Sequence, residues 1–142
     1  MLALARMSTG LFFAISGFYK LFTQSGYERM AATMLEAGIP FPLISAYWVA
    51  ACELLFGILL LAGLMSRLSA LVFTVICLVA TATDGIHRIP QGIGAWEWLD
   101  WLLYLPEVLY LFLLGFILLL GIDGFSLDRI ILRRCRSAIG KT

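Results

Sequence analysis

Charge is what this chain has least of. Lys, Arg, Asp and Glu together make up 13% of its 142 residues, against about 25% in an ordinary soluble domain. Apolar residues rise to 62%, where roughly 45–50% is usual. A small soluble fold keeps much of its surface in water, so this composition excludes one and implies lipid as the solvent. Cysteine is scarce as well. Cys52, Cys77 and Cys135 form no CxxC motif and no Cys/His pairing, which excludes a disulfide framework and a zinc site. A cleavage site of small residues is missing after the first apolar run, so residues 1–22 are expected to stay in the mature protein. The net charge of +1 gives no indication of a nucleic-acid partner, and none is expected.

Long uncharged runs are also lacking. The longest stretches cover 7–19, 37–52, 68–83 and 108–122, and none exceeds sixteen residues. Sixteen helical residues rise only ~24 Å, short of a ~30 Å hydrocarbon core. Each span must therefore carry at least one ionisable residue. Spans are expected near 2–22, 42–65, 67–86 and 101–122. Backbone groups in lipid must be satisfied internally, so such segments are helices. A membrane β-barrel would need alternating strands, and the run from Val108 to Leu120 does not alternate. The expected fold is an all-α bundle of four transmembrane helices over 1–128, with a basic cytoplasmic tail at 129–142.

Lys and Arg set the expected orientation. Arg6, Arg67, Arg129, Arg133, Arg134, Arg136 and Lys141 fall on one side, and Lys20, Arg29 and Arg88 on the other. Both termini are thus expected in the cytoplasm, with the tail on anionic headgroups. On the outer side, 27–37 reads as a short surface helix with Tyr27, Met30 and Met34 on one face, ended by Gly38 and Pro40. Trp96, Trp98, Trp101 and Tyr104 read as an interfacial belt. Pro106 either kinks the fourth helix or opens it at its first turn.

Ionisable residues at membrane depth are costly and mark candidate sites. Arg6, Gly10, Phe13, Gly17 and Lys20 share one face of the first helix, where the glycines allow close helix approach. Glu53 and Gly57 share a face of the second. Thr74, Cys77, Thr81 and Asp84 form a polar stripe on the third. Glu107 lies ~9 Å inside the fourth span by helical rise. These depths suggest a cluster of Lys20, Asp84 and Glu107, either a structural ion network or a functional one. Glu53 comes out ~12 Å deeper than Lys20, out of easy reach of that cation or of Arg6. Alone there it is expected to hold its proton, because desolvation penalises the charged form, and to bond to Thr74. A ligand, quinone or proton role for Glu53 follows as an expectation. His87 reads as a solvated residue at the boundary, and Cys52 with Cys77 as apolar filler.

These residues carry a family resemblance. Arg6, Gly17 and Lys20, then Gly38-Ile39-Pro40, then Glu53, Gly57, Gly63 and Arg67, and finally Gly124-Phe125-Ser126-Leu127-Asp128 resemble the DoxX family of small bacterial four-helix membrane proteins. The resemblance implies a multi-pass protein of the bacterial inner membrane. Some DoxX-like proteins are subunits of thiosulfate:quinone oxidoreductase, and others belong to membrane redox or thiol-stress complexes. A quinone is thus the cofactor implied, and a redox enzyme or a second copy the partner. The chain carries no haem, iron–sulfur or flavin motif, so catalysis by it alone is not expected. Three readings stay open: an accessory, quinone-linked subunit of a redox system, a lipid or small-solute binding or transport protein, and a non-catalytic assembly subunit.

Overall fold

The computed structural model describes residues 2–120. Its helices are α1 (Leu2–Phe22), α2 (Gln24–Glu36), α3 (Pro42–Ala62), α4 (Ser66–Ala80), α5 (Ala95–Leu103) and α6 (Pro106–Leu120). Beyond α4 the chain continues through a π turn at Thr81–Gly85 and a 3-10 turn at Ile86–Arg88. The described residues contain no strand, in keeping with the all-α expectation.

The boundaries follow local chemistry. Only extended Thr23 separates α1 from α2, so the surface helix starts at Gln24, three residues before the expected Tyr27. Gly38, at φ 69°, ends the turn that follows it. The second long helix stops at Ala62, not at residue 65. Gly63 takes φ 73°, its amide meets the Leu60 carbonyl at 3.2 Å, and the Leu64 amide meets the Leu59 carbonyl at 2.8 Å. That pattern is a Schellman cap, which requires the left-handed backbone that glycine adopts cheaply. α4 then begins at once, making the expected hairpin.

The expected fourth helix over 101–122 is corrected. Pro106 opens a separate helix at its first position, where the missing amide costs nothing, and α5 meets α6 at a 67° bend. Ile122 and the tail at 129–142 lie outside the described residues.

α1 packs most extensively on α3, and α4 on α6, while lighter α3/α4 and α1/α6 contacts close the ring. The α1/α3 approach is backbone to backbone. A Cβ added to Gly10 would stand 2.5 Å from the Leu61 amide nitrogen, one added to Gly17 would stand 2.4 Å from that of Leu54, and one added to Gly57 would stand 2.5 Å from that of Ala14. Small-residue contacts of this kind drive helix association where lipid removes the hydrophobic incentive. At the centre of the ring Phe13 and Phe73 stack at 4.0 Å, surrounded by Leu60, Ala70, Leu114 and Ile117.

The outward faces are apolar. Leu11, Ile15, Trp48, Leu55, Leu71 and Phe112 are all exposed, more apolar surface than a water-soluble monomer shows. α3 and the run Ser66–Arg88 are long and apolar enough to cross a membrane, and the bent α5/α6 pair makes a third span if it counts as one. α1 matches α3 at 21 residues. Arg6, Ser8, Thr9, Ser16 and Lys20 lower its hydropathy, and Arg6 and Thr9 among them are buried.

Candidate functional site

The glycine contacts fix the register of α1 on α3, and that register builds the site. Gly17 lies against Ala50, Glu53 and Leu54, so Lys20 stands one turn, ~4.5 Å of rise, from the level of Glu53. Its Nζ reaches both carboxylate oxygens at 2.7 Å. Ser16, four residues before Lys20 and on the same face, donates its hydroxyl to Glu53 Oε2 at 3.2 Å. The Glu53 side chain is 5% exposed and that of Lys20 25%.

This overturns the expectation of an isolated Glu53. The ~12 Å separation assumes that Phe22 and Pro42 are level, as helical rise alone would have it. They are not, because α3 extends past the end of α1 and supports α2 on its first turns. A carboxylate with an ammonium on both oxygens has the cation that the isolated reading denied it. Nor does Thr74 partner Glu53. Its hydroxyl turns back to the Ala70 carbonyl at 2.7 Å, as Thr81 does to Cys77, so the expected polar stripe on α4 is partly self-satisfied.

The expected ion cluster is likewise redistributed. Asp84, in the π turn, pairs with Arg88 one turn on. Glu107 forms no ion pair among the described residues, and its Oε2 is buried without a hydrogen-bond partner there. Lys20, Asp84 and Glu107 nevertheless border one cavity of about 560 Å³, with Glu53 as a fourth wall. A smaller cavity of about 170 Å³ continues past Lys20, Glu53 and Glu107 toward Cys77 and Tyr110.

Arg6 lies elsewhere. It is 2% exposed, and its Nη1 donates to the Leu60 and Leu61 carbonyls at 2.6 and 3.3 Å. These are last-turn carbonyls of α3, where a cation also meets the negative end of the helix dipole. Arg6 therefore secures the end of the bundle away from the cavity. His87 is exposed, as expected. Cys52 and Cys77 are free thiols, and Cys77 borders the smaller cavity.

Sequence reasoning missed Ser16 and the α2 wall of the large cavity, which includes Arg29, Met30 and Thr33. The i, i+4 spacing of Ser16 and Lys20 was the available signal for the first. Nothing local signals the second, because it depends on α2 folding back over the bundle. Chemically, the cavity is an apolar chamber with the Lys20–Glu53 ion pair on one wall and the Glu107 side chain on another. It suits an uncharged amphiphile with a hydrogen-bonding head. Among the described residues, no three His, Cys, Asp or Glu side chains converge as metal ligands.

Fold and site together define a helical membrane protein with a largely apolar cavity between its helices, bordered by a buried ion pair. The DoxX family model matches residues 1–85, and the chain belongs to the DoxX family. The match takes in Lys20, Glu53 and Asp84. Glu107 lies beyond it, and residues 124–128 lie beyond both it and the described residues. No curated protein and no solved structure matches the chain.

Proposed function

We propose that this DoxX-family protein is a four-span subunit of the bacterial inner membrane that holds a quinone head group for a partner redox enzyme. One observation carries the reading: the Lys20–Glu53 pair borders an apolar cavity of about 560 Å³, within the range of roughly 300–1,000 Å³ typical of small-molecule sites. The residues fit such a head group. An ammonium has three donors, and the two bonds to Glu53 leave one for a quinone carbonyl. The cavity's apolar walls, among them Val75, Ile76 and Val79, suit the ring and the start of a tail. When bound, a quinone supplies two-electron, two-proton carrier chemistry. The chain's own part is to bind the head, orient it against Lys20 and exclude water around it.

Purification in mild detergent, with mass spectrometry of extracted small molecules, tests the reading. Quinone is expected at a substantial fraction of the protein in the native form and at less than a tenth of that amount in Lys20→Met and Glu53→Leu. Equal quinone content in all three would overturn it.

A second reading, a lipid-binding or transport protein, draws on a separate surface groove of about 440 Å³ lined by Tyr27, Leu43, Ile44, Tyr47, Trp48 and Ala51. It predicts co-purified lipid without quinone, and solute or lipid flux in proteoliposomes. A non-catalytic assembly subunit predicts neither ligand, but loss of a partner complex when the chain is deleted.

A further inference from the structure

The large cavity does not stop at the inner side of α4. Val75 and Val79 border it, yet they are 55% and 47% exposed. At about 100° of helical turn per residue, Val75 stands ~200° round α4 from Phe73, which is fully buried at the centre of the ring. Val75 therefore lies on the outward face, and the cavity reaches it along the flank of α4 at Ile76. In depth the two valines are the tenth and fourteenth of the 23 residues from Ser66 to Arg88, on either side of the middle of that span. Hydrocarbon surrounds an outward face at that level.

Elsewhere in the ring the seams are bridged. Glycines bring α1 against the α3 backbone, the rings of Phe12 and Tyr110 stack at 4.5 Å between α1 and α6, and α4 packs extensively on α6. Between α3 and α4 the cavity instead has Val49 on one side and Val75, Ile76 and Val79 on the other. All four side chains are hydrocarbon. Such walls accept an alkyl chain and penalise a polar group, which would find no hydrogen-bond partner on them.

We infer that the seam between α3 and α4 is a side portal to the bilayer interior, which admits a long-tailed ligand head first and then holds its tail. The inference rests on the proposed quinone reading and narrows its ligand class to lipid-soluble quinones. Their chain leads from the Lys20–Glu53 pair past Val75 and Val79 into lipid. A quinone without a tail fits inside the chamber and leaves the seam empty.

The test uses the full-length protein in phosphatidylcholine nanodiscs and two probes, a tail-free benzoquinone and the same ring with a decyl chain. Calorimetry gives each affinity, and every variant is compared with the native protein on the same probe, so partition of the chain into lipid cancels. Combining Val75→Trp with Val79→Trp narrows the seam. Leu78→Trp puts an indole at the same depth, on an exposed position of α4 outside the cavity lining. The double variant is expected to bind the decyl probe at least about tenfold more weakly, because a chain forced past two indoles overpacks the seam. Its affinity for the tail-free probe, and that of Leu78→Trp for both probes, should stay within about threefold of native, as for substitutions that touch no ligand. A second readout needs no variant: a decyl probe with a diazirine in its chain is photolysed on the native protein. Label that excess unmodified decyl probe competes away is expected at Val49 and between Val75 and Val79. Equal losses for both probes in the double variant, or loss for neither, overturn the portal and leave the quinone reading intact. Competed label confined to α1 or α6 does the same. Failure of both probes to bind the native protein overturns the quinone reading and the portal with it.

Discussion

Lys20 and Glu53 illustrate how one side-chain pair can be legible while its geometry is not. Each residue stands out as an ionisable group in an apolar helix. Their meeting depends on where α1 stops relative to α3, a tertiary fact that counting residues from each span's end does not contain. The pair also makes a quantitative demand. Removing one member of a buried ion pair costs about 3–5 kcal/mol because the survivor is left uncompensated. With Lys20 one quarter exposed, about 2–3 kcal/mol is the appropriate expectation for Lys20→Met, since solvent screens part of the loss. Adding Glu53→Leu to that variant removes the stranded charge and should recover most of the stability. Thermal unfolding in one detergent, run on the two single variants and the double, measures the coupling directly. A double variant as unstable as the two losses combined would show that the contact carries no energy. Arg6 and Glu107 were equally visible, but visibility did not sort them. One binds helix-end carbonyls and the other an open cavity, and only the assembled bundle separates those fates.

At the scale of elements, the glycine face of α1 was readable from spacing alone. Gly10 and Gly17 recur seven apart beside Arg6 and Lys20, and both lie against the α3 backbone in the structure. Gly17→Leu should therefore separate α1 from α3 and abolish a monodisperse, cooperatively melting bundle. Leu11 is half-exposed on the outward face, so Leu11→Phe should shift the melting temperature by no more than a few degrees. Matched melts of the two variants check this, and equal stability would place the helix interface elsewhere. The broken fourth helix was half legible: Pro106 marked the position, and the choice between kink and new start waited on the direction of α5. The π turn at Thr81–Gly85 left no trace in the sequence. An extra residue in a helical turn reflects packing around it, here the approach of Leu105 to Gly85, and such bulges often accompany functional sites.

The whole molecule is polarised along its axis. At one end lie Arg6 and the α3/α4 hairpin. At the other lie α2, α5, the Lys20–Glu53 pair and the cavity. Between them the stacked rings of Phe13 and Phe73 fill the centre of the ring, so the site reads as open toward one face only and not as a through-channel. Which face that is rests on charge. The hairpin end holds Arg67, and α6 runs toward that end before the basic residues Arg129, Arg133, Arg134, Arg136 and Lys141 follow in sequence. The cavity end offers Arg29 and Arg88 as exposed cations, the latter paired with Asp84. From the asymmetry of Lys and Arg the prediction is that the hairpin end faces the cytoplasm and the cavity the outer side. Two exposed positions separated only by α4 and its extension, Met65 and Gln91, decide it. In a background with Cys52, Cys77 and Cys135 replaced by alanine, Gln91→Cys should react with a membrane-impermeant maleimide on intact cells. Met65→Cys should react only after permeabilisation. The reverse pattern would invert the protein and turn the cavity to the cytoplasm, where a partner enzyme would have to lie on the inner face. Labelling of both positions from outside would mean that Ser66–Arg88 does not cross the bilayer, and the four-span arrangement would fall with it.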